Sequence, residues 1–278
     1  MRRFLITLTV AVIAALVPAV AQAQDTTTIP APQVIQTRIG TTPLFQLSDG
    51  GAGLPYLGVS HPYNAGDWEP ALREYHDSGV YDREIAMVDQ LADQRVRQAG
   101  HRYVTGARST HTRGHGHGHG HGGPGGPRGP QKLAIVLDID ETSLSNYSAI
   151  AADNFTYGPN SQAEATDQIG VAIQPTLQLF QDARARGIAV FFITGRPEAQ
   201  RQVTEENLTR EGYTGWAGLT LKPAGTTMTT VQYKSGARAA IEGQGYRIIA
   251  NVGDQYSDLA GGHADAAYKL ANPFYFLP

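Results

Sequence analysis

The chain has 278 residues, 41% of them hydrophobic, which is enough for one large α/β domain or two small ones and excludes a fully disordered chain. Its 22 Lys and Arg against 25 Asp and Glu give a net charge of −3, with no basic stretch to grip a nucleic-acid polymer. Cysteine is absent, so disulfides, thiolate metal sites and cysteine nucleophiles are excluded and any chemistry runs on carboxylates, hydroxyls, amines or imidazoles.

At the N-terminus, Arg2 and Arg3 precede an apolar run from Phe4 to Val17, then Pro18 and the small-residue triplet Ala21, Gln22, Ala23. This is the layout of a signal peptide over residues 1–23, cleaved after Ala23. The run is short for a membrane span and Pro18 interrupts its end, so the expectation is a periplasmic or secreted protein without a stable membrane anchor. Residues 24–60, rich in Thr, Pro, Gly and Gln without a clear period, read as an extended arm or linker. Within 61–105, Leu72, Tyr75, Val80, Tyr81, Ile85, Val88, Leu91 and Val96 recur at mostly helical spacing, which predicts two short helices broken near Gly79. Over 106–130 the chain becomes a His/Gly-rich linker in which His115, His117, His119 and His121 alternate with Gly. Such a tract either collects a soft or borderline metal on a flexible loop or is plain low-complexity linker.

From Gln131 the texture changes. Lys132 to Leu137, Ile188 to Ile193, Leu219 to Leu221 and Tyr246 to Val252 are short Val/Ile/Leu-rich runs, each consistent with a strand buried on both faces. Helical patterns alternate with them over about 172–186, 198–211 and 229–242, with Gly187, Gly212 and Gly243 at the stops. The order predicts an α/β fold: a Rossmann-like parallel sheet flanked by helices over 131–278, with ligands at the carboxyl ends of the strands.

Those carboxyl ends carry the polar residues. The first strand runs into Asp138 and Asp140, which a period of two puts on one side; such a pair repels unless one member is protonated or a hard cation such as Mg²⁺ lies between them. The second strand ends in Thr194, Gly195, Arg196 and the last in Gly253, Asp254 with Asp258 four residues on, while Lys234 lies in a helical pattern between. A hydroxyl, an amine and four carboxylates thus have a common place to meet.

The ordered set DIDET, ITGR, YKS and GDQYSD resembles the four motifs of the haloacid dehalogenase superfamily, and the strings AIVLDIDETSLSNY, FFITGRPEAQRQVTEENL and NPFYFLP are similar to its acid phosphatase branch, which includes bacterial lipoprotein acid phosphatases and plant vegetative storage proteins. The resemblance implies that Asp138 is the nucleophile, that Asp140 is the general acid and base with its backbone carbonyl on the metal, and that Thr194 and Lys234 hold the phosphoryl oxygens. It further implies that Asp254 completes a Mg²⁺ shell with Asp138, and that Asp258 acts from behind on metal-bound water or on Lys234, a helix-start role being its alternative. Arg196 is expected to brace the fold. The chain departs from the branch in having no lipid-accepting Cys, in the His/Gly insert and in Ser145, where relatives often carry Asp.

The expected function is an exported Mg²⁺-dependent acid phosphatase that hydrolyses small phosphomonoesters, nucleotides among them, through an aspartyl-phosphate. The alternatives are phosphotransfer to alcohols and a non-enzymatic storage or metal-binding protein. A small helical cap is expected from the helices before the core and the segment near 148–170. Trp68, Tyr75, Tyr81, Tyr147, Phe155 and Tyr157 are either core or a stacking wall for substrate.

Overall fold

The four Val/Ile/Leu-rich runs become adjacent strands because each has an apolar residue for both faces of the sheet. In the computed structural model, which describes residues 33–48, 65–111, 132–156, 158–161, 163 and 169–276, they are β3 (Lys132–Leu137), β6 (Ala189–Pro197), β7 (Gly218–Lys222) and β8 (Tyr246–Gly253). Along β3 the faces alternate. Ala134 and Val136 pack with Tyr233 and Ile241 of one helix, whereas Ile135 and Leu137 pack into the larger cluster on the opposite face. Burial of such a strand on both sides is what a near-continuous apolar run requires.

The sheet has seven strands in the order β1-β2-β9-β8-β3-β6-β7, with β9 spanning Ala267–Lys269. All neighbouring pairs are parallel except β1 (Val34–Ile39) with β2 (Thr42–Leu47). That hairpin corrects the arm expected over 24–60, at least for its described part. Its two-residue loop places Gly40 at φ +59°, the sign such loops require, and Leu44 and Leu47 are buried. What anchors the hairpin is the parallel pairing of β2 with β9, more than 200 residues downstream in sequence, which no local period reveals.

Two helices precede the core, α1 (Ala65–Asp77) and α2 (Val80–His111), broken at Gly79 with φ +72°. Helix α2 is 32 residues long and is not a cap: Ile85, Val88, Ala92 and Val96 are buried against the sheet and against α4 (Gln174–Ala185). The short α3 (Tyr147–Ala152), by contrast, begins an excursion from the sheet. Strands β4 (Leu144–Ser145) and β5 (Val171–Ala172) pair antiparallel at the base of this excursion and close it off. Helices α5 (Arg201–Arg210), α6 (Thr230–Gly243) and the single turn α7 (Tyr256–Leu259) complete the order. Gly187 and Gly212 follow their helices in the left-handed region, at φ +69° and +96°, but α6 runs through the predicted stop Gly243 and its left-handed glycine is Gly245 (φ +85°), two residues beyond. Among the described residues no helix is long and apolar enough to cross a membrane. The signal segment and the His tract lie outside the described residues.

Helix α2 also buries a carboxyl. Asp89 is 2% exposed, and among the described residues Thr176 Oγ1 of α4 donates to it, at 2.7 Å on Oδ2. Burial pushes its carboxyl up to about 7; the Thr176 hydrogen bond opposes the rise and the nearby Asp93 adds to it. The folded state therefore holds a proton that the unfolded state releases near pH 4, so this group's contribution falls as pH rises from about 4 to about 7 and is flat beyond. Asp89→Asn is expected to flatten that slope, by up to about 4 kcal/mol. Melting temperatures of parent and variant should diverge as pH rises from about 4 to about 7, and parallel pH dependences would reject the assignment.

Candidate active site

The switch point of the sheet lies between β3 and β8, because the chain leaves β3 toward β6 and leaves β8 toward β9. Ligands bind at such points. The Asp138 amide still donates to Val252 O at 3.0 Å, so the residues after β3 sit beside those after β8. Carboxylate oxygens of Asp138, Asp254 and Asp258 lie within 4.8 Å of one another, and all three residues are buried.

Lys234 reaches this group from the second turn of α6. Its Nζ donates to Asp138 Oδ1 and to Asp258 Oδ1, each at 2.5 Å. Burial pulls the ammonium down, but the two carboxylates outweigh it and hold Lys234 well above the usual lysine value. Burial pushes the Asp138 carboxyl well up; Lys234 opposes this while Asp258, Asp254 and Asp140 add to it. Asp254 is likewise raised by burial and by Asp258, against donors from Asn272 and Gln255. Three buried carboxylates against the ammonium groups of Lys234 and the nearby Lys269 still leave excess negative charge, and an all-oxygen donor set of this kind fits a hard divalent cation. Asp258 has Lys234 on Oδ1 and the Gln255 N–H on Oδ2 at 2.8 Å, so it stands behind the other two with both oxygens engaged.

Asp140 belongs to a separate arrangement. Arg196 grips it as a fork, with Nε at 3.0 Å and Nη2 at 2.6 Å from Oδ1, and Asn146 Nδ2 donates to the same oxygen at 2.9 Å. Burial pushes the carboxyl up, yet the guanidinium and the amide prevail and hold it below the usual carboxylate range. Arg196 thus does more than the bracing expected of it. Thr194 is fully buried at the end of β6, and its hydroxyl accepts the Arg196 N–H at 3.1 Å; it is not among the residues lining the cleft.

That cleft measures about 810 Å³, with Asp138, Asp140, Lys234, Asp254 and Asp258 on it. Ile150 and Phe155 of the excursion and Phe274 and Phe276 of the C-terminal run form apolar walls. Of the aromatic candidates, Tyr75 and Tyr81 are core, Trp68 is exposed, Tyr147 stacks on His76, and Tyr157 lies outside the described residues. Phe155 alone among them lines the cleft.

Sequence reasoning missed Glu141, Asn146, Gln255, Asn272 and Tyr275. Glu141 is buried at φ +50°, and burial followed by the Asp140 charge pushes its carboxyl up to about 8 against hydrogen bonds from Tyr275 Oη and the Asn146 amide, both at 2.6 Å. The signal available was adjacency: Glu141 and Gln255 flank motif carboxylates, whereas Asn272 and Tyr275 sit in the NPFYFLP string with nothing to show what they touch.

A sequence model of the HAD superfamily, subfamily IIIB (acid phosphatase), matches residues 121–278, more than half of the chain. The chain belongs to this family. Acid phosphatase 1 of Solanum lycopersicum is 36% identical over 150 residues, covering 51% of this chain and 58% of its own. Vegetative storage protein 1 of Arabidopsis thaliana is 33% identical over 150 residues, covering 51% and 55%. The chain thus spans little more than half the length of these relatives. A crystal structure of the class C acid phosphatase from Bacillus anthracis with tungstate bound superposes with a TM-score of 0.52 at 16% identity, covering 76% of this chain and 86% of that one. It shows the same HAD-like α/β fold.

Gly253 lets the motifs approach. A Cβ there would lie 2.6 Å from Asp258 Cβ and 2.8 Å from Asp258 Oδ2. Gly253→Ala is therefore expected to displace Asp258 from Lys234 and to cost about 1–3 kcal/mol, read as a fall of several degrees in Tm. Gly243→Ala, where nothing lies within 4 Å, is the control and should be neutral or slightly stabilising. Equal melting temperatures for the Gly253 variant and the parent would show that the approach is not tight.

Proposed function

We propose that the protein is an exported, Mg²⁺-dependent phosphomonoesterase that works through an aspartyl-phosphate on Asp138. The observation that carries this reading is the buried cluster of Asp138, Asp254 and Asp258 carboxylates in the cleft, with the Lys234 ammonium paired to Asp138 and Asp258. A carboxylate needs no deprotonation to attack phosphorus, and it divides one difficult displacement into two. In the first step a bond forms from Asp138 to phosphorus, the ester P–O bond breaks, and Asp140 gives a proton to the departing oxygen. In the second, water attacks the aspartyl-phosphate, Asp140 takes its proton, inorganic phosphate leaves and Asp138 is restored. The Arg196 fork favours the ionised Asp140 that takes this proton, so the first step draws on the enzyme in which Asp140 is protonated, a fraction that weak acid enlarges.

Lys234 supplies charge beside the transferred group, whereas Thr194, buried behind the cleft, supports the Arg196 backbone. Asp138, Asp254 and the Asp140 carbonyl would hold the Mg²⁺, which when bound neutralises phosphoryl charge. Asp258 fixes Lys234. The apolar walls at Phe155, Phe274 and Phe276 suit a leaving group with a flat or apolar face, an aryl group or a nucleobase. Export rests on the Arg2–Arg3, apolar and Ala21–Ala23 layout. Some relatives are named storage proteins, but a storage role asks for none of these buried charges, which are costly to keep.

Phosphate release from an aryl phosphate tests the reading. EDTA should abolish turnover and added Mg²⁺ restore it, and Asp138→Asn should lose at least about a thousandfold in kcat while its circular dichroism stays that of the parent. Full turnover without metal, or with the folded Asp138→Asn variant, would overturn the mechanism.

A further inference from the structure

The chain beyond β9 forms no strand or helix among its described residues, 270–276. It nonetheless contacts three parts of the site through three nearby residues. Asn272 Nδ2 donates to Asp254 Oδ2 at 2.7 Å, while its Oδ1 accepts the Phe274 N–H at 2.9 Å. Because one end of the amide must accept a backbone N–H, the other end must present donors to Asp254, so the amide has one sensible orientation. Phe274 is 2% exposed and packs against Tyr81, Tyr147 and Phe155, with ring centroids 5.1, 5.2 and 5.8 Å away. Tyr275 donates its hydroxyl to Glu141 and accepts Gln255 Nε2 on its carbonyl at 3.5 Å. Gln255 Nε2 also donates to Asp254 Oδ2, at 2.7 Å.

Asp254 is thus held from both sides. Thr142 Oγ1 donates to its Oδ1 at 3.1 Å, and the Oδ2 donors are Gln255 from the next residue and Asn272 from the C-terminal run. Of these, Gln255 moves with Asp254, so Thr142 and Asn272 are the donors that reference the carboxylate to other segments of the fold. Without such references a buried carboxylate can rotate, and a hard cation that needs its ligands at fixed distances loses affinity. Phe274 fixes the run by burial, which converts a coil segment into a rigid arm for the amide.

We propose that the run Asn272–Tyr275 is a strap that sets the cation affinity of the site, with Asn272 as the positioning residue that orients Asp254. The inference rests on the reading of Asp138 and Asp254 as cation ligands. The strap ties that affinity to the aromatic packing of Phe274 against the excursion and α2.

The test uses the full-length protein with MgCl₂ as the only ligand and needs no turnover. Asn272→Ser keeps an oxygen that can accept the Phe274 N–H but is too short to reach Asp254. Titration calorimetry of this variant is expected to give a Mg²⁺ Kd raised about tenfold or more, with a metal-free Tm close to that of the parent. Asn272→Gln keeps the amide but sets it one methylene further out, which misplaces the donor to Asp254; it should also raise the Mg²⁺ Kd severalfold. It answers the question alone if the Ser variant does not fold. A parent that binds Mg²⁺ together with a Ser variant of unchanged Kd, or with a Gln variant of unchanged Kd where only that one folds, would overturn the strap and leave the metal reading standing. A parent that binds no Mg²⁺ would overturn both.

Discussion

Lys234 is the point on which the site turns. A buried ammonium 2.5 Å from two buried carboxylates costs several kcal/mol of lost hydration for each charge, which mutual attraction recovers only with close geometry and further hydrogen bonds. The surroundings supply that geometry. Helix α6 carries Lys234 and, one turn on, Arg238; the first takes the side chain of Asp258 while the second, 1% exposed, donates to the main-chain carbonyls of Asp258, Ala260 and Gly262. One helix face therefore holds Asp258 by both its carboxylate and its backbone. Asn251 Nδ2 adds a further donor to Asp258 O at 3.1 Å, and the close packing of Gly253 leaves the loop no room to relax.

The same electrostatics divides the carboxylates into two sets with different tasks. Asp138 and Asp258 share the Lys234 ammonium, and burial pushes Asp138 and Asp254 toward protonation, a condition that a divalent cation relieves. Asp140, two residues from Asp138, has a guanidinium to itself and is held ionised. Were the Arg196 fork shared with Asp138, that carboxylate would be tied in a bidentate pair and, in the role proposed for it, unable to approach phosphorus. Separation follows from the chain path: β3 ends at Leu137, Asp138 lies against the end of β8, and Asp140 is bent toward β6, where Arg196 projects.

The core and much of the site were legible in the sequence because both depend on short-range signals. A strand buried on both faces must be a continuous apolar run, and the functional residues follow directly where those runs end, so β3, β6, β7 and β8 and the cluster at their tips could be read in order. The hairpin of β1 and β2 was not legible, since its Thr- and Gln-containing strands are held by a partner far along the chain. The length of α2 was missed because its buried stripe of Ile85, Val88, Ala92 and Val96 gives way to polar residues that a helix tolerates but does not demand. Gly243 was taken for a helix stop because two of three candidates there are Gly, and only the positive φ of Gly245 separates them. Arg196 and Asn272 have in common that their partners are chosen by the fold. A side chain with several donors looks the same in sequence whether it braces a turn or orients a carboxylate.

These long-range ties explain how a small excursion can work on a rigid site. The β4–β5 pair pins its base, and Asn207 Nδ2 and Glu211 Oε2 bind Gly170 O and Ala172 N from the side of α5 and its end. At the other end, Asp153 accepts N–H groups from Gly158, Asn160 and Ser161, folding the segment onto itself, and Arg73 of α1 reaches Ala151 O. The excursion is thus fixed by polar contacts at its edges, while its inner face meets the cleft through Ile150 and Phe155. Phe155 packs on Phe274, whose neighbours hold Asp254 and Glu141. Among the described residues, direct contacts thus run from Phe155 of the apolar wall through Phe274 and Asn272 to Asp254.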